Sequence, residues 1–394
     1  MDMKINAEFL FAVELGVCAL CIGLFLLIPR LTRKSYLFGV KIPPEEAGCA
    51  PALELRKRYM TSCSLGGGAL LLACVLQFAL LPDITLAVVC YLPLLCLAVY
   101  FAAFIPNWKR AVLLKEARGW AVSNALFADT QSGHARGDLS ELPYAWYLSS
   151  AALILALFIV SIIHYPLLPD TLPIHFGINM EPDKWAEKSW LTLLQMPLIS
   201  AGFLLIMFLT AVGIVKARLQ LDPDNPSLSF AQHRVYRRRM GHALGFMTLV
   251  ISLVLAIACA LTVFHTAAES APWVRDLLFW FIVLSVSCAV TAIIAVAVKT
   301  GQGGCKVRID AADLNTVASN EAVSSRAKTA GRGDDRYWRL GMFYYNPDDP
   351  GVLVEDRFGF NLGFNYARLP VKICAAVFLV GVIVHYVWLT ATIL

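Results

Sequence analysis

The chain has 394 residues, of which 58% are hydrophobic and only 15% charged, and its mean hydropathy is +0.66. Soluble domains average about 45–50% apolar and about 25% charged residues. Composition therefore excludes a disordered chain, a basic nucleic-acid-binding domain and an ordinary soluble enzyme, and it points to an integral membrane protein. The net charge of +5 suggests a polyanionic partner only until the positions of the basic residues are examined.

A spanning helix needs about 20 mainly apolar residues. Eight stretches qualify: 8–29, 64–82, 84–105, 144–164, 191–215, 241–264, 277–298 and 371–393. The first is not a signal peptide. Only Lys4 precedes it, Glu8 and Glu14 interrupt it, and its positive cluster (Arg30, Arg33, Lys34) follows it, which is the pattern of a helix inserted with its N-terminus outside. Glu14 is the only carboxylate well inside a span. An intramembrane ionisable residue suggests a functional site, and a helix–helix hydrogen bond is the plainer alternative. Cys18 and Cys21 share one helical face, which in lipid reads as small-residue packing rather than redox chemistry. Spans two and three are separated by Pro82-Asp83 and should form a tight antiparallel hairpin.

Placing 30–63, 106–143, 216–240 and 299–370 in the cytoplasm gives those loops 7, 5, 6 and 10 Lys and Arg. With Lys372, 29 of the 33 basic residues lie inside, and the other face keeps only Lys4, Lys184, Lys188 and Arg275. The positive-inside rule then sets eight spans with both termini outside. The +5 charge is thus a topology signal and calls for no nucleic acid. Of the 11 cysteines, the three in polar loops (Cys49, Cys63, Cys305) fall on the reducing side, so no disulfide is expected.

Residues 1–143 read as three helices with cytoplasmic loops, 144–215 as a helix pair joined by an outer loop, and 216–298 as spans six and seven. In 216–240, the turn-rich Asp222-Pro223-Asp224-Asn225-Pro226 leads into a basic stretch, Arg234 to Arg239, that starts span six as a continuous helix. Its position favours contact with anionic lipid. Residues 299–334, rich in Gly, Ala and Ser, read as a flexible linker. Residues 335–370, dense in aromatics and turn residues, read as a small cytoplasmic module of short strands or turns, and 371–394 as the last span. Asn346-Pro347-Asp348-Asp349-Pro350 lacks EF-hand spacing and fits Asx-turn chemistry.

The most distinctive segment is the outer loop, 164–190. It holds two His, several carboxylates and a run of prolines that exclude regular helix. Asp170, His175, Asp183, Trp185 and Lys188 are the candidate ligand-binding residues, suited to a peptide or a cation. A rigid connector with interfacial Trp185 and Trp190 is the plainer reading. No nucleophile–base pair, catalytic residue or metal spacing is visible, and no cofactor is implied.

Residues 165–190, through Tyr165, Pro166, Pro169, Asp170, Pro173, His175, Phe176, Pro182, Asp183, Trp185 and Lys188, resemble the signature of a bacterial membrane family that includes the SdpI-type immunity proteins. Glu181 stands where the family has Gly. Phe38-Gly39-Val40-Lys41-Ile42-Pro43 resembles a second element of that family. Residues 334–369, with Asp335, Trp338, the Asn346–Pro350 turn, Arg357, Gly359 and Asn365, resemble a second uncharacterised bacterial domain, which here replaces the immunity protein's own C-terminal module. The resemblance implies a non-enzymatic immunity, sensor or regulatory protein of the bacterial inner membrane, engaging the bilayer, an extracellular peptide or envelope component, and a cytoplasmic regulator. A transporter or export component is the alternative. It rests on Glu14 and on the Leu-Pro-Asp turns at 81–83 and 168–170.

Overall fold

The computed structural model describes residues 7–120, 127–129, 139–177, 180–216, 225–265, 272–310, 326–328, 332–357 and 363–393. Lys4, the Asp222-Pro223-Asp224 turn, Gly359 and residues 311–325 of the expected linker lie outside them. In chain order the elements are α1 (Ala7–Leu31), β1 (Tyr36–Leu37), β2 (Val40–Lys41), α2 (Ala50–Leu80), α3 (Thr85–Arg118), β3 (Phe127–Asp129), α4 (Tyr144–His164), β4 (Thr171–Phe176), β5 (Pro182–Glu187), α5 (Trp190–Lys216), α6 (Pro226–Val263), α7 (Pro272–Thr300), β6 (Arg326–Lys328), β7 (Trp338–Arg339), β8 (Phe343–Tyr344), β9 (Leu353–Val354), β10 (Gly363–Phe364) and α8 (Leu369–Ile393).

Among the described residues eight helices are long and apolar enough to cross a membrane, and every sheet has only two strands. The chain is an all-α, multi-pass membrane protein. Its surface agrees. In α8, Val377, Phe378, Leu379 and Val380 are each more than half exposed, and four consecutive helical residues cover most of the circumference. A helix of a soluble protein buries its apolar stripe, so this one is built for lipid.

The described residues form two compact units. One holds 136–216 and 234–299, and the other 6–135, 217–233 and 300–394. In the first, α4 and α5 flank a hairpin of β4 and β5. Arg234 to Arg239 lie inside the continuous α6, as the sequence suggests. Gly245 packs against Trp146, whose ring also meets Phe246 at 5.6 Å.

In the second unit, α1, α2 and α3 pack together, and α2 and α3 turn tightly through Pro82–Ile84. Gln77 Nε2 closes that turn by donating to Leu81 O at 2.7 Å and Thr85 Oγ1 at 3.0 Å. At the opposite end of these helices, Leu37, Ile42, Tyr59 and Phe104 form a buried core. Two short hairpins meet there. The β1–β2 hairpin turns at Phe38-Gly39 and the β7–β8 hairpin at Leu340-Gly341, and all four residues have positive φ. The tips touch so closely that a Cβ on Gly39 would lie 2.1 Å from Gly341 O.

The start of the Gly/Ser-rich segment differs from a free linker. The α7 helix runs to Thr300, and Gln302, Gly303 and Gly304 form a buried turn. Gln302 accounts for this, because its Nε2 donates to Asp356 O at 2.7 Å and its Oε1 accepts from Arg33 N. The following aromatic module contains short strands and turns, as its composition implies.

Candidate functional site

Prolines shape the connection between α4 and α5. A 3-10 turn at Tyr165–Leu167 ends α4, and β4 and β5 then pair antiparallel from Thr171↔Glu187 to Phe176↔Pro182, with register shifts around His175. Proline lacks an N–H and is tolerated only on edges or at irregularities. A two-stranded ribbon, both of whose strands are edges, satisfies that for Pro173 and Pro182. Reading the prolines as a bar to helix is correct; the β-hairpin was not foreseen.

The hairpin has a firm base. Leu172 is fully buried with Leu168, Leu193, Cys259 and Val263, and Thr262 Oγ1 donates to Pro173 O at 3.0 Å. Lys188 anchors the return strand. Its Nζ donates to Leu168 O at 2.6 Å and sits 5.0 Å from the centre of the Tyr165 ring, and that ring stacks on Trp190 at 3.8 Å. Lys188 therefore braces the base of the hairpin.

The other candidates divide. His175 Nδ1 lies 2.6 Å from Asp183 Oδ1, with the imidazole 58% exposed and the carboxylate 16%. Asp183 Oδ2 is buried and unpaired. Trp185 is exposed on the same ribbon and meets the His265 ring edge-on at 5.5 Å. Asp170 is exposed, and its backbone carbonyl accepts from Lys188 N at 2.7 Å. The structure thus brings His175, Asp183 and Trp185 onto one hairpin and gives Lys188 and Asp170 supporting places. Near the tip, Arg275 Nη1 pairs with Glu181 at 3.1 Å.

Glu14 is fully buried in the α1–α3 core. It lies beside the thiols of Cys18 and Cys74, which cluster with Cys96. The Cys74 thiol of α2 is placed to meet this carboxylate of α1, as a helix–helix hydrogen bond requires. Among the described residues, no group of three or more His, Cys, Asp or Glu is placed to hold a metal ion.

A second polar constellation escaped the sequence reading. Glu355 Oε1 accepts from Arg33 Nη2 at 2.6 Å and lies 3.1 Å from His233 Nε2. His233 Nδ1 sits 2.7 Å from Ser229 O. A carbonyl only accepts, so Nδ1 carries a proton, and Nε2 lies 2.9 Å from Arg33 Nη2. Nearby, Asp335 pairs with Lys115 at 2.7 Å and with Arg357, whose Nη1 also donates to Gly39 O at 2.6 Å. These pairs fasten the module to the 32–41 loop, α3 and the first turns of α6. Partners up to 322 residues apart leave no local signal.

The module has its own buried hub in the Asn346–Pro350 turn. Asp349 Oδ2 accepts from Arg332 Nε at 2.6 Å and from the Tyr344 hydroxyl at 3.1 Å, while Oδ1 accepts from Arg332 Nη2 at 3.1 Å and Gly351 N at 2.9 Å. Asn346 Oδ1 accepts from Asp348 N at 2.9 Å, the Asx turn that the sequence suggests. Burial opposes the Asp349 charge, but the Arg332 and Gly351 hydrogen bonds prevail and hold its carboxyl below the usual range. Burial pushes the Tyr344 phenol up, so it stays a donor.

Comparison with known proteins finds one family. The model for "Domain of unknown function (DUF1648)" matches residues 152–201, which run from within α4 through the hairpin into α5. No curated protein and no solved structure matches the chain.

Proposed function

We propose that the chain is a non-enzymatic, SdpI-like protein of the bacterial inner membrane, acting in immunity or sensing, whose β4–β5 hairpin faces outward and engages an extracellular peptide or envelope component. The observation that carries this reading is the hairpin itself: a ribbon on a buried base that presents the His175–Asp183 pair and Trp185 to solvent. A hydrogen-bonding imidazole–carboxylate pair beside an exposed indole suits peptide recognition, because aromatic anchors carry much of the energy of such contacts. The aromatic module, fastened by Asp335 and Glu355, is the element that would meet a cytoplasmic regulator. Transport is the second reading, and the buried intramembrane Glu14 carboxylate is its support.

The test is protection. Cells expressing the chain are challenged with a secreted toxic peptide of the class that SdpI-type proteins neutralise. His175→Ala/Asp183→Ala should lower protection about tenfold, equivalent to about 1.4 kcal/mol of recognition. Removing both partners together leaves no uncompensated group behind, so expression should hold, and melting of each variant is measured beside protection. Glu14→Gln should protect like the parent. Unchanged protection in the double variant would overturn the hairpin's role, and loss in Glu14→Gln alone would favour transport.

A further inference from the structure

The two touching hairpin tips leave a cavity beside them. It measures about 300 Å³ and is lined by the Gly39 and Leu340-Gly341 turns, Trp108 and Val112 of α3, Trp338, and four charged residues. That volume is at the low end for small-molecule sites, about 300–1,000 Å³. Trp108, Val112 and Trp338 supply apolar lining, and its charge is lopsided. Arg336, Arg339 and Arg357 line it with a single carboxylate, Asp335, which Lys115 and Arg357 already neutralise.

Two of these groups are underused. Arg357 is 1% exposed, held between the rings of Tyr36 and Trp338 at 5.1 and 4.6 Å, yet its Nε is buried without an acceptor among the described residues. Buried donors are paired in the great majority of cases. Arg339 is exposed and, among the described residues, has no carboxylate partner. Arg336 is engaged by Asp334 at 3.0 Å. A cavity bounded by indoles, with unspent guanidinium donors, fits an anion carrying an apolar or planar body. The planar fork of arginine matches phosphate oxygens.

We propose that this cavity binds a phosphate-bearing ligand, its phosphate held by Arg339 and Arg357 and its apolar part against Trp108 and Val112. The chemistry is shared by an anionic lipid headgroup and by a soluble phosphate ester. Trp108, followed by Lys109 and Arg110, closes the apolar stretch of α3, and tryptophan there favours the headgroup level.

The experiment uses the purified full-length protein in detergent, titrated with short-chain phosphatidylglycerol, with phenyl phosphate, and with phenol as the uncharged control, the bound fraction being read by native mass spectrometry. One anion per chain should bind, and phenol should not. Phosphatidylglycerol binding identifies the lipid source, and binding of phenyl phosphate alone identifies a soluble one. Arg336→Ala/Arg339→Ala removes only exposed side chains and should weaken binding at least about tenfold. Val112→Trp keeps every charge, fills the cavity and should weaken it equally. The proposal is overturned if neither anion binds, if both variants bind like the parent, or if the arginine variant alone is weakened, since that would mark nonspecific attraction to surface charge.

Discussion

Asp349→Ala should unfold the aromatic module while the membrane helices stay folded. The substitution strands the Arg332 guanidinium, which is 2% exposed and has Asp349 as its ion-pair partner. It also takes the acceptor from the Tyr344 hydroxyl and from Gly351 N. Removing one member of a buried ion pair costs about 3–5 kcal/mol because the other charge is left uncompensated. The check is hydrogen exchange of amides in 332–357, which should speed up at least about a hundredfold, with exchange in α2 and α5 unchanged. Arg332→Met/Asp349→Leu should recover most of the protection, since an apolar pair replaces a buried ionic one at little cost. The pH dependence has a definite sign. The Asp349 carboxyl is depressed in the folded module, so its contribution is complete above the unfolded value of about 3.9. It is lost as pH falls through the folded value. Module protection should hold from neutral pH to about pH 5 and fail in stronger acid.

Gly39→Ala should undock the module without unfolding it. Gly39 has φ +77°, a region that costs an L-residue about 1–2 kcal/mol. Its new Cβ would also stand 2.1 Å from the Gly341 carbonyl oxygen and 2.7 Å from the carbonyl carbon, backbone atoms that cannot rotate away. Relief requires the two tips to separate, and that also withdraws Gly39 O from Arg357. Trypsin should then cut at Arg336 and Arg339, with the Arg332–Asp349 hub still protected from exchange. Gly48→Ala, where a Cβ meets nothing within 4 Å, should behave like the parent. Equal behaviour of the two variants would contradict the tip-to-tip contact.

Much of the membrane architecture was legible because its cause is local. About 20 apolar residues make a span whatever lies elsewhere, and Pro82-Asp83 forces a turn. The Asx turn at Asn346 was legible for the same reason. The β4–β5 hairpin was not. Its prolines signal only what the backbone avoids, and pairing depends on register across the segment from Thr171 to Glu187. Lys188 shows the limit for single residues: as a charge in a motif it reads as a ligand group, whereas its nearest carbonyl makes it a brace. The Arg33–His233–Glu355 cluster was invisible because Arg33 counts equally well as a topology charge. Burial, which turns a surface charge into an obligate partner, belongs to the fold and not to the segment.

The hairpin can meet an external peptide only if its end of the helices faces out and the module's end faces in. Site-directed labelling measures this directly. In intact cells, a membrane-impermeant maleimide is applied to Glu181→Cys and Asp348→Cys, both at exposed positions, and labelling is scored above that of the parent's own cysteines. The charge distribution predicts that position 181 labels in intact cells and position 348 only after lysis. Labelling of position 348 in intact cells with position 181 protected would contradict the proposed orientation and the hairpin's role with it.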